Sequence, residues 1–391
     1  MLYSLALIFL LGLIFSALFK KINLPSLLGM ILVGILIGPY GFNLLDNSIL
    51  SISAQLRKFA LIIILTRAGL TLNISDLKKV GRPAILMSFL PASFEILGII
   101  IIAPILLGVE LKEAALIGTV VAAVSPAVVV PRMIKFIDTR WGTNKSIPQL
   151  IIASSSMDDV FVIVLFTALS SIVGGKAVSA SVLFQIPISI ALGIVLGIVA
   201  GFILYSLFKK INMNEIVKVL IVLSVSFLLV ELENRLNGIV PVSGLLAIMS
   251  MGITINYKQP ILSKKLCSQY NNLWIAGQIL LFVLVGACVN VKYAMSASFY
   301  GIIIVLFALV FRIVGVSLCL IKTNLTFKER VFCMIAYTPK ATVQAAIGAV
   351  PLAMGLDCGQ IVLTMAVISI LITAPLGAIA IDKSYKKLLT K

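Results

Sequence analysis

Ala153-Ser154-Ser155-Ser156-Met157-Asp158-Asp159-Val160-Phe161 places two adjacent carboxylates near the middle of an otherwise apolar run, residues 147–173. A run of that length crosses a hydrocarbon core as a helix, for which about 20 apolar residues suffice. An acid at that depth costs about 2.5–3.5 kcal/mol on insertion scales, so its presence signals function. Neighbours on a helix point about 100° apart, and Asp158 and Asp159 therefore face different surroundings. Ser155 lies four residues before Asp159 and shares its face. The bland alternative, acids buried for packing alone, is poor, because apolar side chains pack better at that depth.

The rest of the chain is of the same kind. It is 61% hydrophobic and 12% charged, with a mean hydropathy of +1.19. Such a composition excludes a soluble globular protein and defines an all-α, polytopic membrane protein. Thirteen transmembrane spans are expected, at about 2–19, 25–42, 57–72, 83–107, 113–136, 147–173, 181–207, 216–232, 239–255, 272–290, 297–321, 331–355 and 359–381. The net charge of +17 suggests nucleic acid only until the charges are placed. Connections after odd-numbered spans, with the C-terminus, carry 22 of the 31 Lys and Arg; the N-terminus and the other connections carry 6. That bias puts the odd-numbered connections in the cytoplasm, the N-terminus outside and the C-terminus inside a cell membrane. No nucleic-acid partner is implied.

Met1 to Phe19 has no basic leader and is followed by Lys20-Lys21, so it reads as a first helix rather than a cleaved signal peptide. Cys267, Cys288, Cys319, Cys333 and Cys358 are odd in number and scattered, with neither a disulfide framework nor a zinc spacing. The chain has no histidine, which excludes haem ligation by histidine and histidine proton relays. No resident cofactor is expected.

Two spans are interrupted. The fifth reads Gly118-Thr119-Val120-Val121-Ala122-Ala123-Val124-Ser125-Pro126-Ala127-Val128-Val129-Val130-Pro131. The twelfth reads Ala336-Tyr337-Thr338-Pro339-Lys340-Ala341-Thr342-Val343-Gln344-Ala345-Ala346-Ile347-Gly348. Proline removes a ladder hydrogen bond, and broken backbone at bilayer depth survives only where it is buried in protein or lines a cavity. An offset of seven spans makes the two interruptions oppositely oriented, the signature of inverted repeats around a transporter's midplane site. The repeats are expected at about 1–173 and 216–381, with residues 181–207 as linker helix, in a single membrane domain. In the second span, Gly29, Gly34 and Gly38 suggest close helix packing.

The same offset pairs Glu95 of span four with Arg312 of span eleven. Arg67 sits near the end of span three, where it can snorkel. The remaining deep charges are three acids, Glu95, Asp158 and Asp159, against two bases, Arg312 and Lys340. Buried charges need partners, so one carboxylate is left without a fixed cation. Such a site suits Na⁺, Li⁺ or a proton, with added oxygens from Ser155 and from Ser125 and the freed carbonyls beside it. A carboxylate that takes a metal ion or a proton, but not both, is the minimal device for exchange. Lys340 either pairs with Asp158 or neutralises half-helix carboxyl ends, and Arg312 serves structure through Glu95.

Ser-Ser-Met-Asp-Asp-Val, Val-Ser-Pro-Ala-Val-Val-Val-Pro and Thr-Pro-Lys-Ala-Thr-Val-Gln-Ala-Ala, in that spatial context, resemble the monovalent cation–proton antiporters. The two-aspartate, NHA-type branch of sodium/proton antiporters is the nearest pattern. The resemblance implies a homodimer, a six-helix core holding two crossed broken helices, and alternating access by movement of that core. It makes Asp159 the ion- and proton-binding aspartate, with Asp158 beside it, both on the cation, and Lys340 the crossing-helix lysine. The chain departs from the pattern at Arg312, where the best-known bacterial members carry lysine; arginine does not trade protons, which leaves stoichiometry and electrogenicity open.

The expected activity is Na⁺ or Li⁺ exchange for H⁺ and not an enzymatic one. A K⁺/H⁺ antiporter or a cation-coupled solute symporter is the alternative, although the aliphatic spans offer little polar cavity. An intramembrane aspartyl protease needs two carboxylates converging from separate helices, and Asp158 and Asp159 diverge on one. Broken helices in inverted halves favour a carrier over a channel.

Overall fold

The computed structural model describes residues 1–22, 24–72, 81–174, 180–236 and 240–391, with backbone alone at 180–187 and 295–297. Among the described residues all regular structure is helical. Helix covers each of the thirteen predicted stretches, and eight helical stretches are by themselves long and apolar enough to cross a bilayer. The protein is an all-helical, multi-pass membrane protein.

Several boundaries differ from those read in the sequence. The tenth stretch begins at Pro260, well before residue 272, and runs as one helix to Ala287. Lys264, Lys265 and the polar residues after them hid that start, because polar side chains can ride on a helix without ending it. The second helix, Ser26–Ile37, stops five residues early at a turn through Gly38 and Pro39. The ninth, Gly244–Lys258, starts five residues late, where Ser243 caps it by accepting from the Leu246 N–H. The fourth is divided into Arg82–Met87 and Leu90–Leu107.

The chain forms two compact units. One comprises Met1–Ala54, Ser75–Gly175 and Ile279–Lys391; the other comprises Gln55–Ile74 and Lys176–Gln278. In the second unit, Ala180–Lys210 lies along Gly244–Lys258 with Gly193, Gly197 and Gly201 on the seam. A Cβ at Gly197 would run into the Ala247 carbonyl, so only glycine permits that approach. In the first unit, Gly34 and Gly286 do the same between Ser26–Ile37 and the end of Pro260–Ala287.

The first unit contains Glu95, Asp158, Asp159, Arg312 and Lys340. Its aspartate helix, Ile147–Val173, packs against both halves of the broken fifth span, Leu111–Ala122 and Pro126–Asp138. The arginine helix, Val291–Cys319, runs along Leu90–Leu107, which carries Glu95. The twelfth span breaks into Phe327–Ala336, Thr342–Ile347 and Val350–Ala353, packed against the last helix, Gly359–Leu388. Around the aspartate helix lies an apolar core that includes Val124, Ile151, Phe136, Phe332 and Tyr337.

Candidate ion-binding site

Both interruptions fall where the prolines are. Leu111–Ala122 ends as Ala123 turns extended, at ψ 137°, and helix resumes at Pro126. In the twelfth span the helix stops at Ala336 and resumes at Thr342. The breaks touch: the Ser125 N–H donates to the Pro339 carbonyl at 2.8 Å. Their side chains also meet, with Ser125 Oγ 3.4 Å from Thr342 Oγ1. These contacts make a crossing of two broken helices.

A broken helix exposes carbonyls at its carboxyl end. Here three side chains take them. Lys340 Nζ donates to Ala122 O at 3.0 Å, and Arg312 Nη1 donates to the same oxygen. Gln344 Nε2 donates to Val121 O at 3.0 Å and to Ala123 O at 2.7 Å. Arg312 Nε likewise takes the Tyr337 carbonyl of the other break at 2.5 Å. The cations thus sit where half-helix dipoles place partial negative charge.

The same two cations hold two of the three acids. Glu95 Oε2 accepts from Lys340 Nζ at 2.5 Å and from Arg312 Nη1 at 2.7 Å. Asp158 Oδ2 accepts from Arg312 Nη2 at 3.1 Å and from the Val124 N–H at 2.8 Å. All four side chains, Glu95, Asp158, Arg312 and Lys340, are fully buried. Two charges of each sign therefore close into a neutral chain: Asp158, Arg312, Glu95, Lys340.

Asp159 stands outside that chain. Among the described residues it makes neither an ion pair nor a hydrogen bond, and its Oδ1 is buried without a partner. Asp158 Oδ1, Glu95 Oε1 and Gln344 Oε1 are also buried and unpartnered. Among the described residues no three His, Cys, Asp or Glu side chains are gathered as a metal site, so what the structure offers is one carboxylate without a fixed cation beside a neutral chain.

The structure changes some of the sequence assignments. Of the two roles open to Lys340, pairing with Asp158 and neutralising a half-helix carboxyl end, its ammonium takes the second, lying on Ala122 O and on Glu95, and Arg312 takes Asp158 instead. Arg312 meets Glu95, as the sequence leads one to expect, and its fork spans Asp158 as well, a reach that five fixed donors provide. Ser155 is fully buried and donates to Ile152 O at 3.1 Å, within its own helix. Gln344 and Thr373 carried no role in the sequence reading. Thr373 Oγ1 accepts from the Lys340 N–H at 2.9 Å. Gln344 had a signal: an amide inside an apolar span, one turn from a buried lysine. Thr373, 33 residues from Lys340, had none.

Crossed broken helices around a buried, charge-imbalanced carboxylate define a secondary transporter of the cation-antiporter class. Residues 5–382 match the family described as sodium/hydrogen exchanger, transmembrane, and the chain belongs to that family. It is 32% identical over 390 residues to sodium/hydrogen exchanger 9B2 of Homo sapiens, covering 94% of this chain and 70% of that protein. To sodium/hydrogen exchanger 9B1 of Homo sapiens it is 33% identical over 389 residues, covering 94% and 73%. Its fold matches that of the sodium proton antiporter MjNhaP1 from Methanocaldococcus jannaschii, with a TM-score of 0.87 at 23% identity over 99% of this chain and 98% of that one. The family is one of transporters and not of enzymes.

Proposed function

We propose that this sodium/proton exchanger binds its cargo at Asp159, which alternately carries Na⁺ and a proton, with Li⁺ as an accepted substitute. The observation that carries the reading is the division of labour among the deep acids. Glu95 and Asp158 each have a fixed cationic partner, and among the described residues Asp159 has none. A sodium ion arriving at the Asp159 carboxylate displaces its proton, and a proton arriving on the other side displaces the ion. The empty carboxylate is an unpaired charge in the membrane interior, too costly to carry across, and that cost couples the two flows. Asp158 Oδ1 lies on the same helix turn and supplies a second oxygen, with Ser155 and Ser125 near the break as hydroxyl ligands.

Asp158, Arg312, Glu95 and Lys340 remain a neutral unit that ties the crossing together. With Asp159 as the single exchanging group, one proton moves per cation and the cycle carries no net charge. Support for thirteen spans with an external N-terminus and a cytoplasmic C-terminus comes from the Lys and Arg bias and the helices on each predicted stretch. Oppositely directed interruptions that meet at Ser125 and Pro339 support inverted repeats about residues 1–173 and 216–381. A homodimer, with a transport core moving against a dimer scaffold, is part of the same reading. The test is proton flux in proteoliposomes challenged in turn with Na⁺, Li⁺ and K⁺. Response to Na⁺ and Li⁺ is expected; response to K⁺ alone overturns the cation assignment.

A further inference from the structure

A cavity of about 340 Å³ is lined by three helical segments, of which the arginine helix carries one of the deep charges. Ile313 comes from the arginine helix, Met334 and Thr338 from the half-helix ahead of the second break, and Thr373, Leu376 and Gly377 from the last helix. Its rim faces outward: Leu376 is 60% exposed and Ile313 37%. We infer that this groove is a binding site for one acyl chain of a bilayer phospholipid, and that the bound chain braces the Pro339–Lys340 break.

The chemistry of the lining selects the occupant. Among the described residues no charged side chain lines the groove, and its two hydroxyls are already engaged. Thr338 Oγ1 donates to Ile335 O at 2.9 Å, and Thr373 Oγ1 donates to Ser369 O at 2.7 Å while accepting from Lys340 N–H. A polar head or an ion would therefore lose its own hydrogen bonds on entering. The site lies in segments that cross the hydrocarbon region, where the surrounding medium is lipid tail. Tails are as apolar as the groove, so what separates a groove chain from bulk lipid is fit and not a hydrophobic driving force. The volume is at the lower end of the range of roughly 300–1,000 Å³ found for small-ligand pockets, which suits a single chain.

The floor of the groove is the back of the ion-binding crossing. A Cβ at Gly377 would meet the Pro339 ring, so the last helix lies directly on that proline. Thr373, four residues earlier on the same face, accepts the Lys340 N–H. Arg312 immediately precedes Ile313 in the wall. A chain seated there presses Gly377 and Thr373 onto the break, and a chain too short to reach leaves a void behind it.

The test uses a phosphatidylcholine carrying a diazirine at mid-chain, in vesicles free of fatty acid, with mass spectrometry after illumination of the reconstituted protein. Labelling concentrated on Met334, Ile313 and Leu376, and reduced at least fivefold in both Ala380→Phe and Val331→Phe, is expected. Those two variants fill the groove from its wall without touching the break. Labelling spread evenly over the exposed Leu306 and Val310, or unchanged by both fillings, overturns the proposal. Labelling obtained only with a free diazirine fatty acid overturns the choice of phospholipid. Native exchange should also fall severalfold in short-chain vesicles, and the filled variants should lose that dependence; equal dependence in native and filled forms overturns the bracing role. The labelling arm reads lipid alone, so its failure is distinct from failure of Asp159 as the exchanging group.

Discussion

Ser125 gives its backbone N–H to the carbonyl of Pro339, 214 positions further along the chain, at 2.8 Å. Each residue stands at a point where its own helix cannot supply the missing partner. Proline at 126 and at 339 interrupts the ladder, and the hydrogen bond orphaned in one break is restored by the other. The crossing is thus held by backbone as well as by charge, and it positions Asp158, whose Oδ2 also takes the N–H of Val124.

Asp159→Asn should abolish Na⁺-dependent proton flux in proteoliposomes while leaving the protein folded, because an amide neither binds the cation as an anion nor releases a proton. Ser155→Ala should alter the apparent KM for Na⁺ by severalfold at most. Full exchange by Asp159→Asn would remove the site assignment.

Arg312→Ala strips two acids and two carbonyls of a partner at once. Removing one member of a buried ion pair costs about 3–5 kcal/mol, so a clear drop in Tm is expected. Glu95→Ala combined with Arg312→Ala should cost less than the two single changes together. Additive losses in a thermal-unfolding cycle would show that the pair does not act as a unit.

Gln344→Leu should destabilise the first break. It keeps the volume and leaves the Val121 and Ala123 carbonyls unpaired in the interior, which costs about 1–3 kcal/mol. Differential scanning of the purified variant measures it; a Tm equal to that of the parent excludes a structural role for the amide.

Competition between one proton and one ion fixes how affinity depends on pH. While protons occupy Asp159, the apparent KM for Na⁺ should fall about tenfold per unit rise in pH, and it should level off once no proton remains to be displaced. An apparent KM that is constant over the whole active range would place the proton elsewhere. One-for-one exchange also predicts rates insensitive to an imposed membrane potential.

In the capping turn of the Phe327–Ala336 half-helix, ahead of residue 331 where the apolar stretch begins, Glu329 meets Lys145 at 2.8 Å. Burial pushes its carboxyl upward, but the Lys145 ammonium and the Thr326 donors outweigh that and hold it below the usual range. A folded-state value below the unfolded one adds stability above the ordinary glutamate value of about 4.3, and that stability is lost as pH falls through the lowered folded value. Glu329→Gln should therefore lower Tm at neutral pH, by about 1 kcal/mol equivalent, and the difference should shrink in acid. A gap that widens with acidification would contradict the sign.

What the sequence determined is whatever depends on the cost of placing a residue in hydrocarbon. That cost marks the helical stretches, isolates the two proline breaks, and singles out Glu95, Asp158, Asp159, Arg312 and Lys340 from the other charges. It also supplies the surplus of one acid, since counting needs no coordinates. Helix ends such as Pro260 escaped it, because a polar face on a helix is no boundary. Counting charges does not say which acid lacks a fixed cation; the motif resemblance pointed to Asp159, and the tertiary structure supplied the geometry. Adjacent residues on a helix diverge by about 100°, so Asp158 bonds to Arg312 and the Val124 N–H while Asp159 bonds to neither. The sharing of Glu95 between two cations, and the hydrogen bonds of Gln344 and Thr373, likewise arise from helices far apart in sequence. Periodicity records which residues lie in the interior; only packing records which of them meet.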